Sequence, residues 1–461
     1  MSDISGKTAI WRARWLWEIL ALVIGMAASI YAFYPGCQSG DPGFSWIEAT
    51  SNHSTHYNNW HPPMIAFSWW FLNQLPFEFH PPYANLFLAM NLLYWCGLIL
   101  AIRPWFDKKI LWLVFFASAG FFPPAFAILS QNIKDSLMCA GLLGAYGGLL
   151  TAARTRSKTA FIFGVFCLFL ALGYRHNAVF AVFPLALWAG FIACRNMPRW
   201  KKISAGIMIF ATLLGAIWGT NTLLTSQSSY PIQMIYAYDL VGISAKTWHM
   251  YLPNLYNDYD KPSTLKNFWT AKKSDIRETP LKLENIEQLR TESVNSIYFY
   301  GPGKGLRFLD NAQDVHDLQQ AWLNAIIQEP MAYITLRGTL FLQLIGLDGL
   351  YSWPYFCMEK QSEQLAPAGY HMPLLYMYIK DSWLLRGAPY MAIITILLII
   401  ARWKRSLFSE HLVALGSSAM LYALSYIVVN ASPEFRYLYW LIPVTVIMAL
   451  EMGFTALTRR K

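Results

Sequence analysis

Residues 134–202 read KDSLMCAGLLGAYGGLLTAARTRSKTAFIFGVFCLFLALGYRHNAVFAVFPLALWAGFIACRNMPRWKK. Three apolar runs, roughly 136–153, 159–174 and 177–194, alternate here with two basic clusters and one short polar turn. A run that crosses about 30 Å of hydrocarbon must satisfy its backbone internally, so each is expected to be a helix. The clusters Arg154 to Lys158 and Arg195 to Lys202 belong on the cytoplasmic side, because short loops rich in Lys and Arg stay inside. The turn Tyr174-Arg175-His176-Asn177 then falls outside.

The same alternation extends in both directions. Further runs lie near 15–34, 84–102, 110–129, 203–223, 384–401, 408–430 and 437–456. Basic clusters also occupy Lys7 to Arg14, Arg103 to Lys109, Arg402 to Arg405 and Arg459 to Lys461, so six short segments hold 19 of the 36 Lys and Arg. Placing all six inside gives ten crossings with both termini cytoplasmic. The stretch 331–349 either adds a crossing, restored by another near 366–383, or is re-entrant or interfacial. The expected fold class is therefore an all-α polytopic membrane protein of 10–12 transmembrane helices.

Composition agrees. The chain of 461 residues is 56% hydrophobic and 13% charged, with mean hydropathy +0.32, where a soluble chain would carry about 25% charged residues. Twenty Trp and 26 Tyr suit the aromatic belts at headgroup level. The excess positive charge sits in the cytoplasmic clusters and the rest of the chain is net negative, which argues against a nucleic-acid partner. The first apolar run lacks a small-residue cleavage site and reads as a span rather than a cleaved signal. No CxxC pair occurs among the six cysteines, and most lie in apolar runs; only Cys37 and Cys357 could pair outside.

Three modules follow: residues 1–223 with a first external loop over 35–83, an external subdomain over 224–383, and C-terminal helices over 384–461. The subdomain is mixed and polar, with a helix expected from Asp314 to Gln328.

The external side gathers the charged residues of interest. Asp41, Glu48 and His61 lie in the first loop, Lys134 and Asp135 open a span, and Arg175 and His176 form a turn. Arg337 lies in 331–349, and Glu434, Arg436 and Tyr437 precede the last span. Each has a bland reading. An Asp at a helix start complements the macrodipole, arginines snorkel to headgroups, and His before Pro is a turn residue. Their shared side is the stronger signal, since charges near membrane helix ends mark sites. A lipid-linked sugar phosphate would need such a mouth, with arginines for the phosphate and a carboxylate to take the acceptor's proton.

These motifs resemble the GT-C superfamily of integral-membrane glycosyltransferases, in the bacterial branch related to the dolichyl-phosphate-mannose mannosyltransferase and aminoarabinose transferase type. The resemblance rests on SGDPGFSW with Asp41, NNWHPP with His61 and NIKDSL with Asp135. It also rests on the RHN turn, AWLNAIIQEPMAYITLR with Arg337, and SPEFRYLYWLIP. It implies a GT-C-like fold in the bacterial inner membrane and a polyprenyl-phosphate sugar as donor. The acceptor would be a glycolipid, polysaccharide or protein. Asp41 is implied as catalytic base, with Asp135, His61 and Glu48 also in the catalytic set. Lys134, Arg175, His176, Arg337, Glu434, Arg436 and Tyr437 would bind substrate. Many relatives carry an Asp-Glu pair where this chain has Asp41-Pro42. Nothing in the chain resembles a complete DxD ligand set, so neither a metal nor another cofactor is expected.

Rival readings are an O-antigen polymerase or ligase, a lipid-linked saccharide flippase, and a non-catalytic scaffold. A flippase would place charge deeper and show internal symmetry.

Overall fold

The structure is a computed structural model describing residues 3–36, 41–51, 57–76, 79–257, 283, 286, 306, 308–348, 382–403, 410–430 and 432–459. The helices are α1 Asp3–Phe33, α2 Asp41–Thr50, α3 Pro63–Asn73, α4 Ala84–Ile102, α5 Lys109–Phe121, α6 Pro123–Ala127, α7 Lys134–Thr155 and α8 Lys158–Tyr174. There follow α9 Val179–Ala193, α10 Arg199–Leu224, α11 Gln233–Thr247, α12 Ala312–Gln328, α13 Pro330–Leu344, α14 Gly387–Trp403, α15 Glu410–Val429 and α16 Leu441–Arg459. The described sheet is one parallel pair, β1 Tyr57–Asn58 on β2 Thr225–Gln227.

Among the described residues seven helices are long and apolar enough to cross a membrane, and α5 with α6 forms a bent eighth. The shorter apolar helices α8 and α14 fall in two more of the runs expected to cross. The run 110–129, expected as one helix, bends by 55°. Pro123 and Pro124 are the cause. The residue before a proline is driven out of helical geometry, and Phe122 sits at φ −56°, ψ 120°. The helix found in the stretch 331–349 is the 15-residue α13, Pro330–Leu344, packed against α11 and α15. The alternative crossing near 366–383 and the Cys37–Cys357 pairing lie outside the described residues.

α7 is the centre of the bundle, packed against α4 and α8. Its glycines allow the approach: a Cβ on Gly97 would lie 2.5 Å from the Gly144 nitrogen, and one on Gly148 would lie 2.9 Å from the Gly164 nitrogen. Small residues at such crossings let backbones touch where lipid offers no hydrophobic drive.

Described members of several basic clusters meet at one end. Glu18 bridges Arg14 (3.1 Å) and Arg103 (3.0 Å), and Arg195 reaches the carbonyl of Ala153. Glu451 is paired with His411 (2.8 Å) and Arg154 (3.6 Å), so the spans do carry charge at this end.

A second core lies in the region expected as the external subdomain. Trp60, α11, α12 and α13 pack around Leu240, Leu318 and Leu336. α12 matches the helix expected from Asp314 to Gln328, with Asn311 accepting a hydrogen bond from Asp314 N at its start (2.7 Å). Most of 258–305 and 349–381 lies outside the described residues.

Candidate active site

The end opposite the basic clusters is assembled from the first loop, the α6–α7 connection, the α8–α9 turn, the α15–α16 turn and α13. Asp41 is the first residue of α2; its side chain lies outside what the structure describes. Glu48 follows seven residues later. Two turns of helix bring positions 41 and 48 onto one face, about 10 Å apart along the axis.

Glu48 is buried and accepts a hydrogen bond from Asn58 N (3.0 Å). Burial pushes its carboxyl up to about 7, against the Asn58 bond that lowers it. The Tyr57 phenol beside it is pushed up to about 12, by burial first and then by the Glu48 charge. α2 packs on α3, with Trp46 edge-on to Trp69 at 5.4 Å. The loop is also tied to the subdomain: Asn59 Oδ1 accepts from Ser229 N (2.7 Å), and Trp60 meets Phe308 at 5.1 Å.

His61 sits just before α3. Pro62 forms the helix boundary and Pro63 takes the first helical position, where its missing N–H costs nothing. His61 Nδ1 lies 3.2 Å from Lys134 Nζ, so the HPP motif and the α7 start meet as the shared-side reading requires. Gly36, at φ +87°, lies where a Cβ would come within 2.9 Å of the Asn132 side chain. The left-handed backbone and this approach both call for glycine. The end of α1 therefore rests on the same connection.

That connection is rich in buried polar groups. Gln131 Nε2, both Asn132 amide atoms, Asp135 Oδ2 and Ser136 Oγ have no hydrogen-bond partner among the described residues. Asp135 Oδ1 accepts from the Arg175 guanidinium, whose Nε donates to Asn177 Oδ1 (2.8 Å). Arg175 also lies over Tyr437 (4.7 Å) and Tyr426 (5.8 Å), whose rings stack at 5.3 Å. His176 begins the following helical turn, beside this pair. Arg436 pairs with Glu434 and lies 5.2 Å from the centre of the Tyr437 ring. Lys134, Asp135, Arg175, Arg436, Glu434, Tyr437 and His61 are thus brought together through contacts, with Glu48 held in the adjoining loop.

Arg337 is placed differently. Its Nη2 donates to Asp239 Oδ2 (2.5 Å) and its Nη1 to the Asn430 carbonyl (2.8 Å). Trp322 Nε1 donates to the same Asp239 oxygen (2.8 Å), and Asn430 Nδ2 to Leu340 O (3.1 Å). Arg337 is a strut between the subdomain and the last turn, not a group presented to the mouth. Sequence reasoning omitted Asp239, Gln131, Asn132, Tyr422 and Tyr426. Tyr422 and Tyr426 were visible as a polar pair one turn apart in an apolar run, and their hydroxyls meet at 2.9 Å. Asp239 carried no such signal, because its partner is 98 residues away.

Among the described residues no three His, Cys, Asp or Glu side chains gather closely enough to hold a metal ion. No protein-family model, curated protein or solved structure matches the chain.

Proposed function

We propose that the chain is a membrane glycosyltransferase that moves a sugar from a polyprenyl phosphate to an acceptor on the outer face of a bacterial inner membrane. The observation that carries this reading is the meeting of Lys134 with His61 of the carboxyl-bearing first loop, beside the Arg175–Asp135 and Arg436–Glu434 pairs, at the bundle end opposite the basic clusters. A GT-C-like architecture with both termini cytoplasmic is part of the same proposal.

The acceptor hydroxyl attacks the anomeric carbon as the bond from that carbon to the phosphate oxygen breaks. The proton passes to a carboxylate of α2, and polyprenyl phosphate leaves with both electrons of the broken bond. Arg175 and Arg436, with Lys134, stabilise the charge that develops on the phosphate, so no acid is needed there. Asp135 and Glu434 hold two of these cations in position. The unpartnered polar atoms of Gln131, Asn132 and Ser136 suit sugar hydroxyls, since buried polar groups are costly without partners.

Asp41 is the assigned base. Asp41→Asn in vesicles supplied with a lipid-linked sugar is expected to lower transfer by about 10²–10⁴-fold. Unchanged transfer at normal protein levels would remove the assignment. One observation favours Glu48 instead: its carboxyl titrates near neutral pH, where a general base works best. Loss in Glu48→Gln together with retention in Asp41→Asn would select that reading.

A further inference from the structure

We propose that a groove at the basic end, between α9, α10, α14 and α15, holds one anionic glycerophospholipid. The cavity there has a volume of about 720 Å³, within the range of small-molecule sites. α9 packs on α15 to form its floor, while α10 packs on α9 and α14 on α15 to form its walls.

The lining is divided along its length. Arg199, Lys202, Arg402 and Glu410 stand at the mouth, at the first turns of α10 and α15 and the last turn of α14. Phe191 lies near the mouth; deeper in, Phe183, Leu187 and Leu421 line it, with Ser417 as the one hydroxyl. From Glu410 to Leu421 the helix rises roughly 16 Å, about half of the ~30 Å hydrocarbon core. A charged mouth over an apolar trough one leaflet deep is the shape of a headgroup and an acyl chain. Three cations against one carboxylate leave a net positive mouth, complementary to a phosphodiester. None of the three cations is ion-paired among the described residues, and Lys202 is steadied over the Phe191 ring at 5.8 Å. The site lies at the other end of the bundle from the proposed transfer chemistry and does not depend on it.

The test is native mass spectrometry of the full chain in a neutral detergent. It is titrated separately with phosphatidylglycerol, phosphatidylcholine of the same acyl chains, and glycerol phosphate. One phosphatidylglycerol should be retained in preference to phosphatidylcholine, and glycerol phosphate should not displace it. Arg199→Gln with Arg402→Gln should weaken retention by roughly fivefold for each cation removed. Lys108→Gln with Lys109→Gln, at the same end but outside the groove, should leave it unchanged. Ser417→Trp fills the trough midway, keeps every charge and should abolish retention, which decides the matter should the charge variants fail to fold. Equal retention of both lipids, displacement by glycerol phosphate, or full retention in Ser417→Trp would overturn the proposal.

Discussion

Glu48 is a residue whose chemistry depends on its surroundings. A carboxyl raised from 4.5 to about 7 favours the folded state most fully below 4.5 and loses that contribution as pH rises to 7. Thermal stability should therefore fall across this interval in the natural protein, and the slope should flatten in Glu48→Gln. A melting series at pH 5, 6, 7 and 8 checks it; parallel curves for the two proteins would contradict the assignment. Arg175 and Asp135 present the opposite case, a buried pair in which each partner compensates the other. Arg175→Ala leaves Asp135 buried without its cation and should cost roughly 3–5 kcal/mol. Arg175→Lys should recover part of the stability but not the paired geometry. Denaturation of the two variants in detergent separates these outcomes.

At the level of elements, the apolar runs and their basic ends were legible because both signals are local. A span needs only its own hydropathy, and a loop's side needs only its own charges. The bend at Phe122 was legible in principle from Pro123 and Pro124, yet hydropathy alone reads straight across it. The crossing at Gly97, Gly144, Gly148 and Gly164 was not legible, since nothing in one run names the run it touches. Gly148→Leu should force α7 from α8 and destabilise the protein by at least the roughly 1–3 kcal/mol of an overpacked core. Gly215→Leu, where a Cβ meets nothing within 4 Å, should be tolerated. Equal stability of the two variants would show that α7 is not the tight centre described here.

For the molecule as a whole, the charge map separates two ends and the structure gives each its own contacts. Sequence reasoning put Arg337 with the phosphate-binding cations because it shares their side. The fold instead joins it to Asp239 and Asn430, a relation set by chain segments roughly a hundred residues apart. Arg337→Ala should therefore uncouple the subdomain from the last turn, at roughly 3–5 kcal/mol for the orphaned Asp239. Replacing both partners, as Arg337→Met with Asp239→Leu, should recover much of that stability. A limited-proteolysis comparison reports on the subdomain directly; identical patterns in the natural protein and Arg337→Ala would contradict the strut. The mouth was legible as a set of residues, not as an arrangement. Lys134 with His61 and Arg175 with Asp135 emerge only when separate helices meet.

The central claim is that a sugar leaves its lipid phosphate at this mouth. The direct measurement uses the purified chain in vesicles containing defined polyprenyl-phosphate sugars. Release of polyprenyl phosphate is followed with and without candidate acceptors, alongside Asp41→Asn. The account predicts acceptor-dependent release from at least one donor, lost in the variant. Donors that cross the bilayer intact, with no polyprenyl phosphate released under any condition, would contradict it and mark the chain as a flippase.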